Sequence, residues 1–278
     1  ISDSTFENIN FAVYLTGETI APTRSVTVHG CHFDQTAAAG AFTAPFPVGV
    51  YVMYVDDLVI VGNSFRNIYS SVDNGSTGSG MGYGVYQGDA LSRAMVVATN
   101  AFHYDAKGNK NAIAILLSGA AQAVISKNVI TAEEAAHLTA GIRVSNTTNV
   151  CDHLIDANAI SIPNAPAFDP IVVNADSSPY RIVVSNNVTA GGGTGIAVQG
   201  SGATVLSVRD NTITGTAQAG ILIGGASPVL SLKCPQVLNN RVSATQSNGI
   251  LVSGYTTSAI IAGNTILDGN LSNAAGDV

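Results

Sequence analysis

One pattern of apolar and polar positions recurs along the chain: apolar-x-apolar-x-x-Asn-x-apolar. It reads LVIVGNSF (58–65), MVVATNAF (95–102), AVISKNVI (123–130), HLIDANAI (153–160), RIVVSNNV (181–188), LSVRDNTI (206–213) and AIIAGNTI (259–266). VTVHGCHF (26–33) carries Cys31 in the Asn slot, ISDSTF (1–6) carries Ser4 there, and PQVLNNRV (235–242) fits with Asn240. The period-two alternation predicts a strand that ends at a polar corner. A second pattern, small-apolar-x-apolar, follows each copy: AVYL (12–15), GVYV (49–52), GVYQ (84–87), AIAI (112–115), GIRV (141–144), PIVV (170–173), GIAV (195–198), GILI (220–223) and GILV (249–252). Each unit therefore reads strand, Asn corner, loop, and a second strand opened by a small residue.

The slot residues are Ser4, Cys31, Asn63, Asn100, Asn128, Asn158, Asn186, Asn211, Asn240 and Asn264, spaced 24 to 37 residues apart. Self-similarity at such a period marks a solenoid. Leucine-rich repeats share the L-x-L-x-x-N/C-x-L strand, but their other half is usually helical, whereas here it is a second β-branched strand. Left-handed hexapeptide helices need strict short multiples, and these spacings wander. A right-handed parallel β-helix accommodates variable loops between fixed strands, and each of its coils buries an apolar face only by stacking on the next.

On these motifs the chain resembles, over essentially its whole length, the right-handed parallel β-helix (pectate-lyase-like) superfamily found in polysaccharide-processing enzymes and phage tailspikes. The resemblance implies an all-β solenoid of about ten coils with an inward Asn ladder. With coils about 4.8 Å apart, the rod is about 45 Å long. Residues 1–278 read as one such domain, and the abrupt start inside a repeat reads as a fragment or mature part of a longer chain. Phe6, Phe33, Phe65, Phe102, Ile130, Ile160, Val188, Ile213, Val242 and Ile266 are expected to form a stacked core column.

Composition narrows the function classes. Charged residues are 10% of the chain and hydrophobic residues 46%. That combination argues against disorder, which needs charge and few apolar residues, and against a coiled coil. A net charge of −7 offers no surface for neutralising nucleic-acid phosphates. No apolar run approaches the length of a membrane span. Cys31, Cys151 and Cys234 form no CxxC motif, and His29, His32, His103, His137 and His153 show no metal-ligand spacing. No metal and no cofactor is therefore expected. The run Gly191–Gly193 lacks the Lys-Ser/Thr of a phosphate loop and reads as a tight corner.

Function is expected where coils differ. The loop before the second strand is about six residues in late coils but spans 34–48 and 66–83 in the second and third. Long loops on a rigid scaffold concentrate binding residues. By alternation, the second strand turns Tyr14, Tyr51, Tyr86, Ala114, Arg143, Val172, Ala197, Leu222 and Leu251 outward. Tyr14, Tyr51 and Tyr86 make an aromatic strip suited to a polysaccharide or oligosaccharide, whose C–H faces stack on rings. Asp73, Tyr83, His103 and Arg143 are further substrate-binding candidates, with Asp105 and Arg66 nearby. Asp56, Asp57 and Asp89 are the catalytic candidates, because paired carboxylates hydrolyse glycosidic bonds as acid and base. The clustered Asp and Arg of calcium pectate lyases and the Asp-Pro-His-Glu signature of alginate epimerases are missing, which favours a hydrolase over a lyase. The alternative function is a non-catalytic fibre or adhesin segment.

Outward positions of the first strand, Val59, Val61, Val96, Val124, Leu154, Ile182, Val184, Leu238 and Ile260, read as apolar along the rod. Such a stripe is expected to be covered. A homotrimer of parallel rods, as in tailspikes, is what the resemblance implies, in an extracellular or virion-associated setting.

Overall fold

The computed structural model describes residues 1–35, 47–68, 81–88, 92–105, 111–133, 138–146, 151–162, 168–175, 180–200, 205–225, 232–254 and 256–267. The alternating segments are strands, and they form three parallel sheets whose neighbours lie one coil apart in sequence. The leading sheet has nine strands, from Thr23–His29 to Ile260–Ala262. The corner sheet has ten short strands, from Thr5–Glu7 to Thr265–Leu267, and the trailing sheet has nine, from Phe11–Thr16 to Ile250–Gly254. The protein is a right-handed parallel β-helix. The residues after the Asn slot, expected to lead into a loop, add a third strand to each coil, such as Ser64–Arg66.

The corner is made by two consecutive residues. The first sits in the left-handed region, as at Gly62 (φ 66°), Thr99 (54°), Lys127 (55°), Ala157 (55°) and Asp210 (57°). One such residue reverses the local twist and turns the chain out of the leading sheet. The second is the ladder residue. Asn63 Nδ2 donates to Asn100 Oδ1 at 3.0 Å and to the Val28 carbonyl at 3.0 Å, while the Asn63 amide N–H donates to the same Asn100 oxygen at 3.0 Å. Asn100, Asn128, Asn158, Asn187, Asn211 and Asn240 repeat this arrangement, and the chain of amides ends on Asn264. Every polar group at the buried bend thereby gains a partner.

One slot differs from the sequence expectation. Asn187, not Asn186, stands in the ladder: its Oδ1 accepts from Asn158 at 3.0 Å. Asn186 is the left-handed residue before it (φ 55°). Each frame misses one apolar position of the motif, Arg181 in one and Thr189 in the other, and the register of the flanking strands decides between them. The shift moves the core column as well. Thr189 pairs with Ile160 and Ile213 and is fully buried, whereas Val188 is 50% exposed. The column otherwise stands as expected, and Phe33, Phe65 and Phe102 stack with ring centroids 4.6 Å apart.

The small opener of the trailing strand abuts that column. A Cβ on Gly49 would lie 2.7 Å from the Phe65 ring and 2.6 Å from the Gly84 carbonyl oxygen, leaving room for no side chain. In the fourth coil the opener is Ala114, which lies over Gly84 and is fully buried; Leu116 takes the outward place expected for Ala114, in register with Tyr86.

The outer face of the leading sheet is less apolar than expected. The same frame shift turns Ile182 and Val184 into the core, at 2% and 0% exposure, and Val183 outward. The outward apolar row is Val59, Val96, Val124, Leu154 and Val183, and it continues through Ser207 and Gln236 to Ile260, which is exposed. The row beside it runs through Val61, Ala98, Ser126, Asp156, Ser185, Arg209 and Leu238, apolar at its ends and polar between them. No helix among the described residues is long and apolar enough to cross a membrane.

Among the described residues a histidine is buried in the interior: His153 is 1% exposed and stacked between Ala123 and Ile182. Burial pushes its pKa from 6.5 down to about 4, partly opposed by neighbouring Asp152. The unfolded chain therefore takes up the proton first, and stability present above pH 6.5 falls as pH drops towards 4. The loss is on the order of 3 kcal/mol. Urea midpoints at pH 7.5 and 4.5 will show this fall in the wild type and a smaller one in His153→Leu. The ladder assignment yields a second outcome. Asn187→Ala strands a buried amide N–H and carbonyl and will cost about 3 kcal/mol. Asn186→Gly will cost under about 1 kcal/mol, because glycine accepts the left-handed corner. Comparable losses in the two variants would refute the frame.

Candidate functional site

Stacking places three tyrosines of the trailing sheet on one outward row. Tyr14, Tyr51 and Tyr86 are in register across three coils, followed by Leu116, Arg143, Val172, Ala197, Leu222 and Leu251. The Tyr14 and Tyr51 rings are parallel to within 4° with centroids 4.9 Å apart, and Tyr14 is 55% exposed. Tyr86 turns its edge to Tyr51 at 5.2 Å and stacks on Tyr83 at 4.6 Å. Phe11 stands edge-on to both Tyr14 and Tyr51. The AVYL motif carries no signal for Phe11, which lies outside it, three residues before Tyr14. The strip then grades into an apolar cluster on the outside of the sheet, where Ile113, Leu116 and Ala140 pack with Met81, Tyr83, Tyr86 and Val172. Burial raises the Tyr83 pKa, and the positive charge of Arg143 partly offsets it. The Tyr83 and Tyr86 hydroxyl-bearing rings thus share one patch with a cation.

Asp56 and Asp57 lie at the start of the leading strand Val55–Val61. Asp56 is in register between Arg24 and Arg93 of the adjacent coils, and the three line a polar recess together with Tyr54 and Glu18. Asp57 has φ 56°, and Ser25 (56°) and Ala94 (51°) hold the same conformation at the same place in neighbouring coils. Aspartate is among the residues that tolerate this geometry. Asp73 and Asp89 lie outside the described residues, as does most of each long loop.

A third group gathers at the end of the corner sheet. His103 and Asp105 come from one coil, Arg66 and Asn67 from the coil before, and Thr131 and Glu133 from the coil after. His103 Nε2 is 2.6 Å from Asp105 Oδ1 and 3.8 Å from Glu133 Oε1, and its Nδ1 is 3.0 Å from Thr131 Oγ1. Asp105 Oδ2 accepts from Arg66 Nη2 at 2.9 Å and Asn67 Nδ2 at 3.0 Å. The fully buried Asn67 also accepts the Asp105 backbone N–H at 2.8 Å. The Asn67 hydrogen bond, with Arg66 and His103, holds the Asp105 carboxyl below its ordinary pKa. His103, Asp105 and Glu133 offer ligand atoms within 4.8 Å of one another, the arrangement that could hold a metal ion. Spacing along the chain conceals this group. The signal that reveals it is equal offset from the ladder: Asp105 is five residues past Asn100, and Glu133 five past Asn128.

Residues 100–275 match the family described as periplasmic copper-binding protein (NosD). No curated protein matches the chain. Among solved structures, the A-module of mannuronan C-5 epimerase AlgE6 from Azotobacter vinelandii is similar at 14% identity and a TM-score of 0.28, over 90% of this chain and 74% of that one.

Proposed function

The chain belongs to the NosD family, and from that premise we propose that it is an exported rod that binds a polysaccharide or oligosaccharide along its trailing sheet. The observation that carries this reading is the exposed stack of Tyr14 on Tyr51, extended by Tyr86 and bordered by Phe11. Parallel rings 4.9 Å apart form a continuous apolar ledge, and the C–H face of a pyranose covers such a ledge while hydroxyls meet polar side chains at its rim. Tyr83 and Arg143 supply that rim. Glycan cleavage by Asp56 or Asp57 with Asp89 is the finer part of the proposal. It would appear as reducing-end release that Asp89→Asn abolishes without altering the β-rich circular dichroism.

The family description names copper. Among the described residues, the donors that fit a metal ion are His103, Asp105 and Glu133, all inside the matched stretch. One imidazole and two carboxylates suit a divalent ion; the set has no sulfur to favour Cu(I).

Binding is tested by titrating the protein against a panel of neutral and acidic polysaccharides. A bound glycan, with about tenfold weaker binding in both Tyr14→Ala and Tyr51→Ala, is the expected result. No binding across the panel, or binding unchanged in both variants, overturns the reading. We propose in addition that three rods associate through the row Val59–Val96–Val124–Leu154–Val183. Sedimentation equilibrium will then give three times 28.2 kDa, and a stable monomer would rule the trimer out.

A further inference from the structure

We infer that His103, Asp105 and Glu133 form a binding site for one divalent first-row transition-metal ion, independent of the aromatic strip. The donors are paired with supports that leave their ligating atoms facing one another. Thr131 Oγ1 contacts His103 Nδ1 at 3.0 Å and lies 3.4 Å from the Phe102 carbonyl, to which it donates. Nε2 is the nitrogen that hydrogen-bonds Asp105 Oδ1 at 2.6 Å; an ion on Nε2 takes the place of the proton there, and Nδ1 then carries the imidazole proton to Thr131 Oγ1, whose own hydrogen points to Phe102. A hydrogen bond from the non-ligating nitrogen is the usual means of fixing a metal-binding histidine.

Asp105 is divided in the same way. Its Oδ2 is taken by Arg66 and Asn67, and its Oδ1 is turned to His103. Ligating carboxylates commonly have such outer partners. An ion would replace the proton between His103 Nε2 and Asp105 Oδ1, which lie 2.6 Å apart. Ligands about 2.0–2.1 Å from one ion and at right angles are about 3 Å apart, so small rotations of His103 and Asp105 open the contact. Glu133 Oε1, 3.8 Å from Nε2 on an exposed side chain, swings in as the third ligand. With a neutral imidazole, the two carboxylates and Arg66 leave one net negative charge for the ion to meet.

The donor set also selects the ion. All-oxygen sites suit Ca²⁺ and Mg²⁺, thiolate and thioether sites suit Cu(I), and imidazole with carboxylate suits Zn²⁺ and Cu²⁺, the last binding most tightly in the general order. Three protein ligands leave a fourth position open to solvent. The six residues that ligate or support come from three consecutive coils fixed in register, so the site is organised before the ion arrives.

The test uses the whole chain, stripped with chelator, titrated calorimetrically with Zn²⁺ and with Cu²⁺ and followed by Cu²⁺ electron paramagnetic resonance. One ion per chain with coupling to a single imidazole nitrogen is expected. His103→Ala will weaken binding at least 100-fold and Glu133→Gln about tenfold, whereas His32→Ala, at the other exposed histidine–aspartate contact, will leave that ion in place. Thermal melting checks that each variant is folded, and the exposed Glu133 keeps the test open if His103→Ala is not. No binding by the wild type, affinity within threefold of wild type in both ligand variants, or coupling to no nitrogen or to several, overturns the site. Glycan titration with and without metal is a separate readout, so loss of either function identifies which proposal has failed.

Discussion

The structure depends on satisfying backbone polar groups at a sharp buried bend. Each coil bends sharply between the leading and corner sheets, and there the Asn backbone N–H donates to a side chain rather than to the next coil's backbone, away from water. An unpaired N–H or C=O there costs free energy comparable to a lost hydrogen bond. The Asn side chain is the compact answer, because one amide offers two donors and an acceptor with two lone pairs. In each rung Oδ1 accepts from the backbone and side chain of the preceding rung, while Nδ2 reaches a carbonyl of the preceding coil. With the corner fixed, the alternating strands have no freedom of register, and the Phe and Ile column and the glycine openers fall into place around it.

This division of labour explains the low charge of 10%. Inward positions fill one continuous apolar core, and the corners are served by neutral amides and left-handed residues. Charged side chains are left to the ends of strands, and they collect there in inter-coil groups: Arg24, Asp56 and Arg93 at one corner, Arg66, His103, Asp105 and Glu133 at another. In both, opposite charges come from adjacent coils, the parallel-sheet counterpart of cross-strand pairing.

Much of the fold was legible from the chain, because its two motifs are set by periodicity and by the chemistry of one amide. The aromatic row of Tyr14, Tyr51 and Tyr86 could be read too, since alternation assigns a face. What resisted were matters of one or two residues. The Asn186–Asn187 pair meets the motif about equally well in two frames, each with one polar residue at an apolar position, and the pairing of Ile182 with Leu206 chooses between them. AIAI hid a two-residue offset that puts Leu116, not Ala114, beside Tyr86. The third strand of each coil is three or four residues long, too short for a period to show. The His103 group was invisible as a local motif because its members belong together only after stacking.

The ladder makes the polar part of every coil-to-coil junction nearly the same from Asn63 to Asn264. Such a rod has an arithmetic of whole units. Excising or duplicating one complete coil presents the neighbours with the amide they already expect. Removing a single residue from a leading strand exchanges its inward and outward faces. Lineages of this architecture can therefore lengthen, shorten and recombine by coils, and new side-chain neighbourhoods such as that of His103 arise by bringing two existing coils together, without a new fold around them.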